Sequence, residues 1–161
     1  MENGYLPTTN ADGLPVAPMT AAQKYLFDLK GWIVFPGLLS PEELEPILEH
    51  QWKFLNEPES LPPDERNSVG GPSQVLLDHP VIVGMLNEIL SYQGLADENG
   101  YGFRFERTRT DRRSCGHDNF KAHGGGGYFN FCGNSHLYQM HPGRIYAGLV
   151  RVVWELNDVK E

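Results

Sequence analysis

Apolar residues recur at helical spacing in three stretches of the chain and then, toward its end, at the spacing of strands. Thr20 and Gln23 have the separation of a capping box, and Tyr25, Leu26 and Leu29 supply an apolar face. The pattern predicts a helix from Thr20 to Lys30, closed by Gly31. The compact run Trp32 to Phe35, bounded by Gly31 and Pro36, predicts a short strand. Ser40, Pro41 and Glu43 then mark the start of a second helix, with Leu44, Ile47, Leu48, Trp52 and Leu55 as its buried stripe. Proline, glycine and acidic residues from Glu57 to Ser73 predict a long loop. Pro80 opens a third helix carrying Val81, Ile82, Met85, Leu86, Ile89 and Leu90.

Beyond Gly100 the period falls to two. Tyr101, Phe103 and Phe105 alternate with Gly102, Arg104 and Glu106, as in a half-buried strand. Arg144 to Leu156 is the strongest strand pattern, with Tyr146, Val150, Val152, Trp154 and Leu156 on one side and Ala147, Leu149 and Val153 on the other. Both of its faces are therefore expected to be covered. Helices first and β-structure last predict an α+β or β-sandwich arrangement rather than a βαβ series. Residues 1 to 17 hold Gly4, Pro7, Gly13 and Pro15 without an apolar period and read as a flexible leader, which leaves 18 to 161 as the folded unit.

Composition narrows the function classes. A chain of 161 residues fits one domain, and 18 Gly with 12 Pro raise the expected share of loops. The net charge of −8 argues against nucleic acid or an anionic membrane as the main partner. Arg104, Arg107, Arg109, Arg112 and Arg113 crowd one stretch, which suits either local recognition of a carboxylate or phosphate or a solvated strand edge. Two cysteines, no signal peptide at the start and no membrane-length apolar run place the expected setting in the reducing cytoplasm.

Candidate chemistry is concentrated between Cys115 and His141, where Cys115, His117, His123, Cys132, His136 and His141 could ligate a metal. Structural zinc favours paired ligands, and only His136 and His141 have such spacing. A non-haem iron centre needs two histidines and a carboxylate on one face, yet no His-x-Asp or His-x-Glu occurs. His123 heads the run Gly124 to Gly127, where the missing Cβ atoms let backbone approach a ligand closely. By spacing alone, a structural role in a glycine-rich turn is favoured for His123 over a metal ligand. His117, His136 and His141 read as loop histidines rather than ligands, Trp154 as a core residue, and the cysteines as reduced and unpaired.

The stretch from Gln23 to Leu44, with its helix, the strand-like Gly31-Trp-Ile-Val-Phe-Pro and the helix start Ser40-Pro-Glu-Glu-Leu, resembles the opening of the phytanoyl-CoA dioxygenase family. His123-Gly-Gly-Gly resembles that family's metal-histidine region, and Leu149 to Val159 resembles the following core strand and its turn. The resemblance covers about residues 19 to 161, roughly the first half of a family member. It implies an iron(II)- and 2-oxoglutarate-dependent oxygenase that oxidises a small organic substrate. The implied fold is a double-stranded β-helix, or jelly roll, here an incomplete one with N-terminal helices packed on part of its sheet. His123 then matches the first metal ligand, and Trp154 an aromatic position beside the cosubstrate pocket.

Two departures qualify that implication. Gly125 stands where the family usually has Asp, so the carboxylate would be replaced by water, by chloride as in related halogenases, or by a carboxylate from elsewhere. The distal histidine motif and the basic partner of 2-oxoglutarate normally follow the strand that ends near Asn157, and the chain stops at Glu161. The expectation is an N-terminal portion with little or no activity of its own. Its unpaired strand edges would favour self-association. The rival reading is a non-catalytic zinc-binding or interaction domain built on the cluster from Cys115 to His141.

Overall fold

The computed structural model describes residues 6–90, 96–114, 138–141 and 144–158. Among the described residues, four α-helices precede one hairpin: α1 (Ala21–Lys30), α2 (Pro41–Asn56), the short α3 (Val75–Asp78), α4 (Pro80–Ile89), and the antiparallel strands β1 (Tyr138–His141) and β2 (Arg144–Ala147), with Tyr138 opposite Ala147.

Local chemistry sets the helix ends. Thr20 Oγ1 accepts from Gln23 N at 3.2 Å while Gln23 Oε1 accepts from Thr20 N at 2.8 Å, a complete capping box. Gly31 closes α1 at φ 74°, a left-handed conformation that glycine adopts without a Cβ penalty. Ser40 and Glu43 repeat the reciprocal arrangement at the start of α2, with Pro41 in the first turn.

α4 is the central element, because Ile82, Val83, Met85, Leu86 and Ile89 point in more than one direction and all are buried. Met85 and Ile89 join Met19, Phe27 of α1 and Ala147 of β2 in one cluster, against which Ile33, Phe35 and Val150 pack. Burying side chains of this size stabilises the fold by about 1.5–3 kcal/mol each.

Residues 6–19 carry more structure than a flexible leader. Thr9 bridges Pro15, Asn10 is buried and donates from Nδ2 to the Asp78 carbonyl, and Ala17 N donates to the Pro80 carbonyl at 3.2 Å. Gly84 makes the close approach possible: a Cβ there would lie 1.9 Å from the Ala17 carbonyl oxygen. The Asn10 side chain and the Ala17 backbone tie this segment down.

The strand expectations need correction. Trp32 to Phe35 and Tyr101 to Glu106 join no ladder, and of Arg144 to Leu156 only Arg144–Ala147 is a strand. Nor are both faces of that last segment covered, since Leu149 and Val153 are 52% and 61% exposed. An apolar alternation supplies side chains for a strand, but a ladder also needs a neighbour to accept its backbone hydrogen bonds, and none lies alongside among the described residues. The jelly-roll sheet thus remains an expectation from the resemblance, beside one observed hairpin.

The stripe of α2 also differs. Ile47 is fully buried, whereas Trp52 and Leu55 are exposed and His50 and Gln51 take the interior positions. The long loop after α2 folds into 3-10 turns at Pro58–Ser60, Pro63–Glu65 and Gly71–Gln74 and lays polar backbone against the helix. Donors, rather than further apolar side chains, are what that contact requires.

Candidate functional site

Most of the sequence-predicted site falls on residues that the structure does not describe. His123, Gly125, Cys115, His117, Cys132 and His136 all lie in 115–137, outside the described residues, and His141 is placed only as backbone at the end of β1. Among the described residues, no three of His, Cys, Asp and Glu gather as a metal-binding group.

Trp154 is placed. It is half-buried against the junction of α3 and α4, where its Nε1 donates to the Leu76 carbonyl at 3.1 Å and its ring meets His79 edge-on, centroids 5.9 Å apart. His79 is itself the cap of α4, its Nδ1 accepting from Val81 N. One residue earlier, Asp78 Oδ2 accepts from Ala11 N at 3.1 Å and from the Tyr101 hydroxyl at 3.3 Å. The α3–α4 junction therefore gathers three segments remote in sequence: residues 10–11, Tyr101 and Trp154. Burial, and then the negative charge of Asp78, push the Tyr101 phenol above its ordinary value.

A second polar site went unnoticed in the sequence. His50 Nε2 donates to the Glu65 carbonyl at 3.0 Å, which leaves Nδ1 to accept from Ser73 Oγ at 2.9 Å. Gln51 Nε2 donates to Ser73 Oγ at 2.7 Å and to the Ser68 carbonyl at 2.9 Å, while Gln51 Oε1 accepts from Thr110 Oγ1. A serine donating to a histidine has the look of an activated nucleophile. Ser73 is 0% exposed, however, so no substrate reaches it, and the network serves to clasp the loop and residue 110 to α2. The signal available was the position of His50, one turn beyond Ile47 on the inward side of the helix.

The arginine run lies along an exposed segment. Arg104 pairs with Glu106 at 3.0 Å, Arg109 with Asp111 at 2.9 Å, and Arg112 donates to Asn56 Oδ1. Those local pairs match the solvated reading of the run. A shallow, half-open cavity of about 290 Å³ lies between residues 17–20, Gln23, Phe35, Leu38 and Val81. Two side-chain oxygens of its lining residues, Thr20 Oγ1 and Gln23 Oε1, are already engaged in the capping box of α1.

No family model, curated protein or solved structure matches the chain. Among the described residues, no helix is long and apolar enough to cross a membrane.

Proposed function

We propose that the chain is part of an iron(II)- and 2-oxoglutarate-dependent oxygenase of the phytanoyl-CoA dioxygenase type that acts on a small organic substrate. The observation that carries the reading is the succession from Gln23 to Leu44: a helix ended by Gly31, the segment Trp32 to Pro36, and a helix started by Ser40-Pro-Glu-Glu. Both helices have complete capping boxes, so the motif's residues sit where their chemistry requires. His123 is the proposed metal ligand and Trp154 the proposed neighbour of the cosubstrate.

The described residues do not by themselves fit a metal, since no three potential ligands gather among them. The resemblance assigns no metal ligand beyond His123. With Gly125 in the usual carboxylate position, anaerobic addition of iron(II) and 2-oxoglutarate is expected to give little or no metal-to-ligand charge-transfer absorption. A band that is strong in the parent chain and lost in His123→Ala would show that the chain completes its own metal site. Stoichiometric zinc that disappears on replacing Cys115 or Cys132 would overturn the oxygenase reading in favour of a zinc domain, because that reading gives the cysteines no ligand role.

A further inference from the structure

Between Tyr101 and Thr110 the chain crosses open surface, held at both ends. The Tyr101 hydroxyl donates to Asp78, while Thr110 donates to Gln51 and Arg112 to Asn56, both on α2. Residues 104–109 are all exposed, and the run from 104 to 114 holds no turn or bend. Among the described residues, Arg104 to Thr108 make no backbone hydrogen bond. Exposed, unpaired peptide groups of this kind form a template on which an incoming strand can pair. Alternate positions of such a run share a side, so Phe105, Arg107 and Arg109 lie opposite the side that Thr110 turns toward α2.

We infer that residues 104–109 dock an acidic peptide segment of a partner protein, which adds alongside as an extended strand. Charge selects the acidic character. Arg104 to Arg113 hold five arginines against Glu106 and Asp111, a surplus of three positive charges in a chain of net −8. Arg104 and Arg109 pair with those two carboxylates, whereas Arg107 has neither an ion pair nor a hydrogen bond among the described residues. Phe105, 58% exposed, adds one apolar contact beside them. The backbone selects a peptide. A nucleic acid would satisfy the arginines but leave the peptide groups unpaired, and its phosphates would run past this short stretch into the field of a negatively charged chain. The contacts at both ends also fix the run before a partner arrives, which lowers the ordering cost of binding.

The probe is a fluorescein-labelled peptide, Thr-Glu-Thr-Glu-Thr-Val-Thr, which as a strand sets two carboxylates and one apolar side chain on one face. Fluorescence anisotropy with the full chain at low ionic strength should show saturable binding that weakens as salt is added. Arg107→Glu should weaken it by about tenfold or more, the effect of losing one charge-assisted hydrogen bond. Its circular dichroism should be unchanged, because Arg107 is exposed. Lys30→Glu, the same charge change on α1, should leave binding intact. The same peptide N-methylated at every peptide group keeps its charges and should not bind, which separates strand pairing from charge attraction alone. Absence of saturable binding, equal binding by Arg107→Glu, or an equal loss from Lys30→Glu overturns the site. Undiminished binding of the methylated peptide overturns the strand pairing. A labelled oligothymidylate that binds as tightly as the peptide, and loses affinity in Arg107→Glu, overturns the peptide partner in favour of nucleic acid.

Discussion

Replacing Gly84 with Ala gives a test whose sign is informative. In a helix interior free of tertiary contacts, Gly→Ala stabilises by about 0.5–1 kcal/mol, because glycine loses more backbone entropy on folding. Gly84 is in the interior of α4, but a Cβ there would stand 1.9 Å from the Ala17 carbonyl oxygen and 2.6 Å from its carbon. Backbone must move, and the segment that moves carries the Ala17 N to Pro80 O hydrogen bond and the buried Met19. Overpacking of this kind costs about 1–3 kcal/mol, to which losing part of the burial of Met19 would add. After subtracting the helix gain, the variant should be about 1–2 kcal/mol less stable, a fall in Tm of about 2–8 °C for a chain of this length. Urea unfolding followed by far-UV circular dichroism measures it. A variant as stable as the parent, or more stable, would refute the close seat of residues 17–19 on α4.

Ser73→Ala should destabilise by about 1–3 kcal/mol in the same assay, because it leaves buried His50 Nδ1 with only the long 3.4 Å contact from Gln51 Nε2. Tyr101 should ionise later than an ordinary tyrosine, and the absorbance change at high pH that Tyr101→Phe removes should lie above the ordinary tyrosine range. Because the folded state favours its neutral phenol, this stabilisation is complete below the unfolded value and is lost as pH rises through the folded one. Glu43 has the opposite sign. Hydrogen bonds from the Ser40 backbone and side chain hold its carboxyl below the ordinary 4.5, so its contribution is present above that value and fades as pH falls through the lowered one. Glu43→Gln should therefore flatten the acid limb of the stability profile.

The helices were legible because their ends are local. Thr20 with Gln23, Ser40 with Glu43, and Gly31 at positive φ each act within one turn, and each formed as the spacing required. Strands depend on partners that sequence periodicity does not specify, so the alternation from Tyr101 to Glu106 produced no ladder and bends at Gly102 and Phe103. Tyr101 reaches the α3–α4 junction through its hydroxyl on Asp78, a contact that no periodicity could indicate.

The same distinction separates the two buried polar sites from the proposed metal site. His50, Gln51 and Ser73 are 15 to 23 positions from some of their partners, and composition alone would have put them on the surface. What brings them inside is the loop after α2, whose turns present carbonyls at Glu65 and Ser68 that need donors once water is excluded. Trp154 meets a comparable demand at Leu76, whose carbonyl takes the indole N–H. The tryptophan that resemblance places beside a cosubstrate is thus already held at its polar end by the helical layer. Any pocket built around it would meet the ring through its face or its far edge. Trp154→Phe separates the two roles: it removes the hydrogen bond to Leu76 and keeps an aromatic ring, so a loss of about 0.5–1.5 kcal/mol in urea unfolding measures the anchor alone. No loss would refute the anchor.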